Sequence, residues 1–427
     1  MSPGTMTACN AMSDSSGAPA GPSAAGDVDA GRSAAAHTTA AHTTAAHTTA
    51  AHTTAAHTTA NRTTANRTTA NRTTGNRTTG NRPMLLPGLA AVWRGPHALQ
   101  LGLDPRRAVV LDLPNPAAAG LLDLLDGART EVGVIAAASR RGIGEADARA
   151  LLDALCDHGL VVGAHTLLPR ALGEPARTRL LAEAAALALR EESGRTPAEV
   201  LRKRAGTRVR VTGRGRLGIS IAVALAMAGI GHVDVALDGT VEPGELMAGG
   251  GGDHRTTVAA RAIAELAPGT RTTPLPRRED VHFAVQIGTQ SGPAALYALA
   301  HRRLAHLSVA VRDGAVLIGP LVPPGGRPCL HCLDLHRADR DKAWPVLAAQ
   351  LATPDAPPRR ELVDACTVAT ALAATGYATA DVLRYVDGLP PQTIAATVEL
   401  SGPGEARRRT WQPHPACHCG RRRRRGR

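Results

Sequence analysis

Four cysteines stand in two close pairs late in this 427-residue chain: Cys329 and Cys332 in "RPCLHC", Cys417 and Cys419 in "HPACHC". Four thiolates so grouped complete a tetrahedral site with no open position, which predicts a structural zinc rather than a catalytic one. A single intervening residue strains joint ligation by Cys417 and Cys419, so His414 and His418 are alternatives for one sulfur. Such a site contributes on the order of 10 kcal/mol to holding distant segments together. The other cysteines predict no chemistry of this kind. Cys9 falls in polar chain, Cys156 on the core face of a helix, and Cys366 at a helix start as a small buried residue.

The second grouping lies in "VRVTGRGRLGISIAVALAMAGIGHVDVALDG", residues 209–239. It reads as a strand, a glycine turn, a helix and a second strand. Gly213 permits the tight turn, Gly215 lets backbone approach a phosphate, and Gly218 lets the helix pack on the strand. The helix start offers free N–H groups and about half a positive charge to an anion. Asp238 ends the next strand 20 residues after Gly218, where an acid reaches ribose hydroxyls. The chemistry predicted is nucleotide binding. The alternative is a retained fold whose glycines serve packing only.

Periodicity predicts the elements that must hold these residues. Strands at 208–212, 232–237 and 281–287 alternate with helices at 216–229, 255–267 and 292–304. The run "LSVAVRDGAVLIGPLV" reads as paired strands, and a helix follows at 366–386. That order predicts an α/β sheet with helices on its faces. Ahead of it, "ALQLGLDPRRAVVLDL" (98–113) alternates around a turn as a β-hairpin. Helices follow at 116–127, 130–141 and 145–158, then a returning strand in "LVVGAH", a winged-helix pattern. Two connecting helices are predicted at 177–192 and 197–205. The charge-dense "DLHRADRDKAW" (334–344) reads as a salt-bridged surface helix or a partner-facing segment.

The tails account for most of the formal net charge of +13: six Arg against three Asp in residues 1–83, and six Arg in 421–427. Almost all the basicity is Arg, with Lys203 and Lys342 the only lysines, which is a coding bias more than a nucleic-acid signal. The third helix carries Glu145, Asp147, Asp153 and Asp157 against Arg149, so it does not suit a DNA groove. Residues 36–82 repeat in fives ("AHTTA", then "NRTTA" and "NRTTG") and cannot bury a face, which predicts disorder over 1–83. Met84 opens the first apolar pattern, so 1–83 is expected to be a start-site extension. No apolar run approaches the roughly 18 residues of a membrane span. The N-terminus lacks the apolar core of a signal peptide. The expectation is a cytoplasmic protein with neither a DNA nor a membrane partner.

The combination of "GRGRLG", Asp238, the crossing strand, "CLHC" and the late cysteine pair resembles the ThiF/MoeB family, bacterial relatives of ubiquitin-activating enzymes, over about residues 206–420. The resemblance implies a Rossmann-like, ThiF-type α/β domain that binds ATP and magnesium, adenylates the C-terminal carboxylate of a small protein, forms a homodimer and carries structural zinc. It puts Gly213, Gly215 and Gly218 on the phosphates, Asp238 on the ribose, and Cys329, Cys332, Cys417 and Cys419 on the metal. Residues 84–165 resemble the PqqD-like recognition element that precedes such a domain in azoline-forming peptide natural-product systems. That resemblance implies a leader peptide added as a strand, in a groove between Val109, Val110 and Leu111 on one side and Leu151 and Leu155 on the other. A separate YcaO-type cyclodehydratase partner would then carry the ATP chemistry.

Several positions depart from the family pattern. "DGTVEPGELMAGG" keeps Asp238 but has Thr240 for a second acid, and Glu245-Leu246 replaces Asn-Leu with no arginine after it. Arg255 is the nearest cation to a missing lysine, and the metal-binding acid expected after "HFAVQI" reads Gly288-Thr289-Gln290. Adenylyl transfer relies on metal and cations to offset transition-state charge, at about 3 kcal/mol for a lost contact. The expectation is a disordered repeat (1–83), a winged-helix recognition element (84–165), connecting helices (166–205), a ThiF-like domain (206–420) and a basic tail (421–427). Its function would be a peptide-binding scaffold with a degenerate adenylation site. An active ATP-dependent adenylyltransferase is the alternative.

Overall fold

The computed structural model describes residues 81–105, 107–190, 194–242, 245, 252–276, 280–288, 304–351 and 364–420. Residues 1–80 with nearly all of the repeat, the basic tail, residues 292–303 of the expected helix, Cys9, Leu246, Thr289 and Gln290 lie outside them. Short strands begin the described chain: β1 (Pro83–Leu85), β2 (Ala91–Trp93), β3 (Ala98–Leu101) and β4 (Val109–Asp112). A 3-10 helix (Pro116–Leu124), α1 (Glu131–Arg140) and α2 (Glu145–Asp157) follow. Next come β5 (Val161–Gly163), the short α3 (Ala164–Leu167), α4 (Glu174–Arg190) and α5 (Pro197–Ala205). Strands β2, β3 and β4 form an antiparallel sheet in that order, while β1 pairs with β5. Leu99, Leu101, Leu111, Leu121, Val134 and Leu155 are among the side chains that share one closed core here.

The larger body starts at β6 (Arg208–Gly213), α6 (Gly218–Met227), β7 (His232–Leu237), α7 (Arg255–Leu266) and β8 (Phe283–Ile287). It continues through β9 (Ala305–Arg312), β10 (Ala315–Val322), α8 (Leu330–Arg340), α9 (Trp344–Leu351), α10 (Val368–Asp387), β11 (Ala396–Gly402) and β12 (Glu405–Thr410). One seven-stranded sheet has the order β12-β11-β10-β9-β8-β6-β7. Strands β7, β6, β8 and β9 run parallel, and β9 to β12 form an antiparallel meander. Helix α6 is apolar nearly all round because it is enclosed by the sheet, α7 and α10. Helix α10 begins where Thr367 accepts from the Thr370 N–H (3.1 Å) and ends at Gly388 in a left-handed conformation (φ +86°).

The expected order of strands and helices from 208 to 322 is present wherever residues are described. Three expectations change. The first helical segment is 3-10 rather than α, its start set by Asn115 capping the Ala117 N–H and by Pro116. The front sheet has three strands, because the short exposed β2 adds to the expected hairpin. Cys156 is exposed rather than facing the core, since Leu151, Leu152 and Leu155 already fill the buried stripe of α2. The hairpin β11–β12 lacked a signal: every residue of β12 is exposed, so its sequence has no buried alternation to read.

Candidate functional site

The glycine turn joins β6 to α6 at the C-terminal edge of the parallel strands, the edge where open α/β sheets bind ligands. Gly213 has φ +106° and Gly215 φ +140°, backbone that side chains rarely adopt. A Cβ at Gly213 would collide with the Ile287 carbonyl of β8, and one at Gly218 would collide with Leu237 of β7. The glycines therefore satisfy the packing requirement in full. Asp238 follows β7, its N–H donating to the Gly213 carbonyl (2.9 Å), and the residue is exposed beside the loop.

A distant acid meets the loop. The Asp364 carboxylate lies over it, with Oδ2 accepting from the Arg216 backbone N–H at 2.9 Å and sitting 2.6 Å from where a Gly215 Cβ would be. Arg216 clamps the same segment through Nη1, which donates to the carbonyls of Asp364 (3.3 Å) and Cys366 (3.0 Å). Burial raises the Asp364 carboxyl above its ordinary range, against the pull of the Arg216 N–H, and Glu242 adds to the rise. Cys366 precedes α10 rather than opening it. It is half-buried in this strap, where burial pushes its thiol up.

Arg255, the cation nearest the missing lysine, is only 1% exposed and is consumed internally. Its guanidinium donates to Glu245 (2.8 and 2.5 Å), Glu242 (2.9 Å) and the Asp238 carbonyl (2.9 Å). Burial opposes the charge, but the two glutamates more than offset it and raise the arginine above its ordinary range. Glu245 and Glu242 thus offset the charge of Arg255. Asp364, Glu242 and Arg216 had no sequence signal as a group, because Asp364 and Arg216 are 148 residues apart.

The structure brings the four expected cysteines together. Sγ separations are 3.8 Å for Cys329–Cys332, 3.7 Å for Cys329–Cys417 and 3.5 Å for Cys332–Cys419. Bonds of about 2.3 Å to a tetrahedral zinc put sulfurs about 3.8 Å apart, so this donor set fits the ion. Cys329 is the N-cap of α8 and Cys332 lies in its first turn, while Cys417 is set by a turn onto the His414 carbonyl (3.0 Å). The thiol of Cys329 and the N–H groups of His414 and Cys329 favour the thiolate at Cys332, whereas burial pushes Cys419 up. His414 does not replace a sulfur; it bonds Asp339 (2.8 Å) and, with His336 on the Gln412 carbonyl (2.9 Å), latches α8 to the C-terminal segment. The "DLHRADRDKAW" stretch accordingly makes local pairs, among them Arg337–Asp334 at 3.0 Å.

The residues expected to line a peptide groove divide between core and sheet edge. Leu111 (3% exposed), Leu151 (3%) and Leu155 (0%) are core residues and offer no surface to a ligand. Val109 and Val110 on β4 are half-buried. Among the described residues β4 pairs only with β3, so its outer edge is open.

Neither a protein-family profile nor a curated protein matches the chain. Solved structures do. E. coli MccB with selenomethionine-labelled MccA aligns with a TM-score of 0.50 and 13% identity, over 79% of this chain and 99% of that one. E. coli MccB with ATP gives 0.51 and 14%, again over 79% and 99%. The microcin C7 biosynthetic enzyme MccB in complex with N-formylated MccA gives 0.51 and 14% over the same shares. The chain therefore has the mixed α/β, ThiF-like fold of MccB. Among the described residues no helix is long and apolar enough to cross a membrane.

Proposed function

We propose that the chain is a ThiF-like scaffold that receives a precursor peptide in azoline-type peptide natural-product biosynthesis, with a degenerate adenylation site. Residues 84–165 form a PqqD-like recognition element for the leader. The α/β body, zinc-clamped at Cys329, Cys332, Cys417 and Cys419, dimerises and delivers the peptide to a YcaO-type partner. The observation that carries the reading is the state of the phosphate cradle: Asp364 fills it and Glu245 neutralises Arg255. MccB, which shares the fold, is described with the peptide MccA and, in another structure, with ATP.

Leader binding on this reading is strand addition to β4. Leu113 donates its N–H inward to the His97 carbonyl (2.7 Å), and antiparallel alternation then turns the N–H groups of Val110 and Asp112 outward. The test uses peptides encoded by short reading frames beside the gene, titrated against the full chain by fluorescence polarisation. Val110→Pro removes an outward donor without touching the ladder. A leader that binds the native chain and loses at least about tenfold with this variant supports the reading; equal binding by both refutes strand addition.

A second reading, an active adenylyltransferase, is favoured by one observation: Asp364 and Glu242 bring carboxylates to the loop, a donor type suited to magnesium. ATP–pyrophosphate exchange separates the two. Peptide-dependent exchange that disappears in Asp364→Ala selects the enzyme; no exchange in either protein selects the scaffold.

A further inference from the structure

The two segments that carry the cysteines also bring a second donor set together. Cys332, His336 and Asp339 follow one another on α8 at spacings of four and three residues, which puts them on one face of the helix. The C-terminal segment runs beside that face and carries His414 ahead of Cys417 and Cys419. One donor atom each from His336, Asp339 and His414 lies within 4.8 Å of the other two. His336 is one helical turn beyond Cys332, about 6 Å along the axis, so this grouping is separate from the four sulfurs.

The hydrogen bonds fix the state of both rings. His336 donates its Nε2–H to the Gln412 carbonyl (2.9 Å), which leaves Nδ1 with its lone pair. Giving the other ring N–H to a backbone carbonyl is the ordinary state of a histidine that ligates a metal. His414 Nδ1 accepts from the Ala416 N–H (3.1 Å), so its Nε2 carries the proton and donates it to Asp339 Oδ2 (2.8 Å). The two rings meet edge to face with centroids 4.8 Å apart, and the His414 side chain is only 8% exposed, so packing sets their positions. The Asp339 side chain, at 61%, can turn in solvent.

We propose that His336, Asp339 and His414 form a second, open site for a divalent first-row cation, with zinc as the probe. Two imidazoles and a carboxylate are a donor set for such ions, and three protein ligands leave room for water, unlike the closed four-sulfur site. Ligands that share one ion through bonds of about 2.1 Å lie about 3–4 Å apart, so a swing of Asp339 closes the set. On binding, the cation takes the place of the proton between His414 and Asp339. That proton passes to Nδ1, and the Ala416 N–H, on an exposed residue, turns to water. Coordinate bonds then fasten α8 to the C-terminal segment where hydrogen bonds did. With an exposed ligand and no sulfur, the site is weaker than the four-cysteine one: it fills when zinc is supplied and empties on gel filtration. The inference is independent of the peptide-receiving and adenylation readings.

The test is equilibrium dialysis of the full chain against zinc-buffered solutions, with bound metal counted by elemental analysis. The native chain should take up about one zinc more than His336→Ala and Asp339→Asn, or bind that zinc at least about tenfold more tightly, since even an outer partner of a metal site is worth that much. The histidines of the N-terminal repeat are common to all three proteins and cancel in the difference. Asp339→Asn keeps an acceptor for His414, so a purely hydrogen-bonded latch gives no change in zinc uptake with it. Because Asp339 is exposed, this variant tests the site even where His336→Ala fails to fold. Zinc kept through gel filtration should be equal in native chain and variants, which controls for the four-cysteine site. Added zinc should also raise the melting temperature of the native chain and not of the variants, because only an ion bound to the folded state stabilises it. Equal uptake by all three proteins would overturn the inference. Loss of uptake in His336→Ala but not in Asp339→Asn would remove the carboxylate from the set and overturn it as well.

Discussion

A carboxylate in a phosphate cradle is a competitor for the same N–H groups. Asp364 accepts from the Arg216 N–H at the start of α6, where a nucleotide phosphate would bind. Removing it with Asp364→Ala frees that donor and deletes a negative charge beside the loop. Isothermal titration should then show ATP binding strengthened by about tenfold, the worth of one charge-assisted hydrogen bond; weaker binding would make the carboxylate part of the nucleotide site. The same residue has a pH signature. Its folded pKa is raised, so the native state binds the proton more tightly than the unfolded chain. The stability it contributes is fully present below the unfolded value near pH 4 and is lost as pH rises through the folded value. Comparing urea midpoints of the native chain and Asp364→Ala across weakly acidic pH should show the variant losing less stability as pH rises. Sequence reading found the glycines and Asp238, whose roles are local to one β–α–β unit. It missed the strap over them because nothing local marks Asp364 as belonging to that loop.

Among the elements, α5 ties the front of the chain to the α/β body, as α4 does through Arg179 on the Ala226 carbonyl (3.1 Å). Arg204 of α5 is 2% exposed and holds Asp387, at the end of α10, through two bonds of 2.9 and 2.7 Å. The same guanidinium reaches Glu183 on α4 (2.6 Å) and the Ala228 carbonyl after α6 (3.0 Å). Removing one member leaves a buried charge unpaired. Arg204→Met should therefore cost about 3–5 kcal/mol in a denaturant-melting experiment. The double variant Arg204→Met/Asp387→Leu should recover much of that loss, because an apolar replacement of a buried pair is often neutral. A single variant that melts like the native chain would show the tie to be unimportant. Helix α5 itself was expected from the sequence at 197–205, and the structure starts it with the Thr196–Glu199 capping box and Pro197. Its partner was not, since Arg204 and Asp387 are 183 residues apart.

At the scale of the whole molecule, the cysteine cluster fastens the C-terminal segment to α8, beyond the end of the sheet. Native protein should carry about one zinc per chain by elemental analysis, and Cys332→Ser should lose most of it. Chelation should then expose the chain around 411–420 to limited proteolysis while the sheet core persists. A metal-free native protein with the same cleavage pattern would show the thiols to be unligated. The sequence by itself determined the strand–helix order, the glycine turn and the two cysteine pairs, because alternation, helical spacing and close pairs are properties of neighbouring residues. Tertiary structure alone decided that Leu111, Leu151 and Leu155 are core, that Glu245 pairs with Arg255, and that Asp364 lies against the glycine loop. Those outcomes depend on which distant groups share a desolvated space, where one carboxylate or guanidinium changes the electrostatics of all the others. No spacing along the chain encodes that.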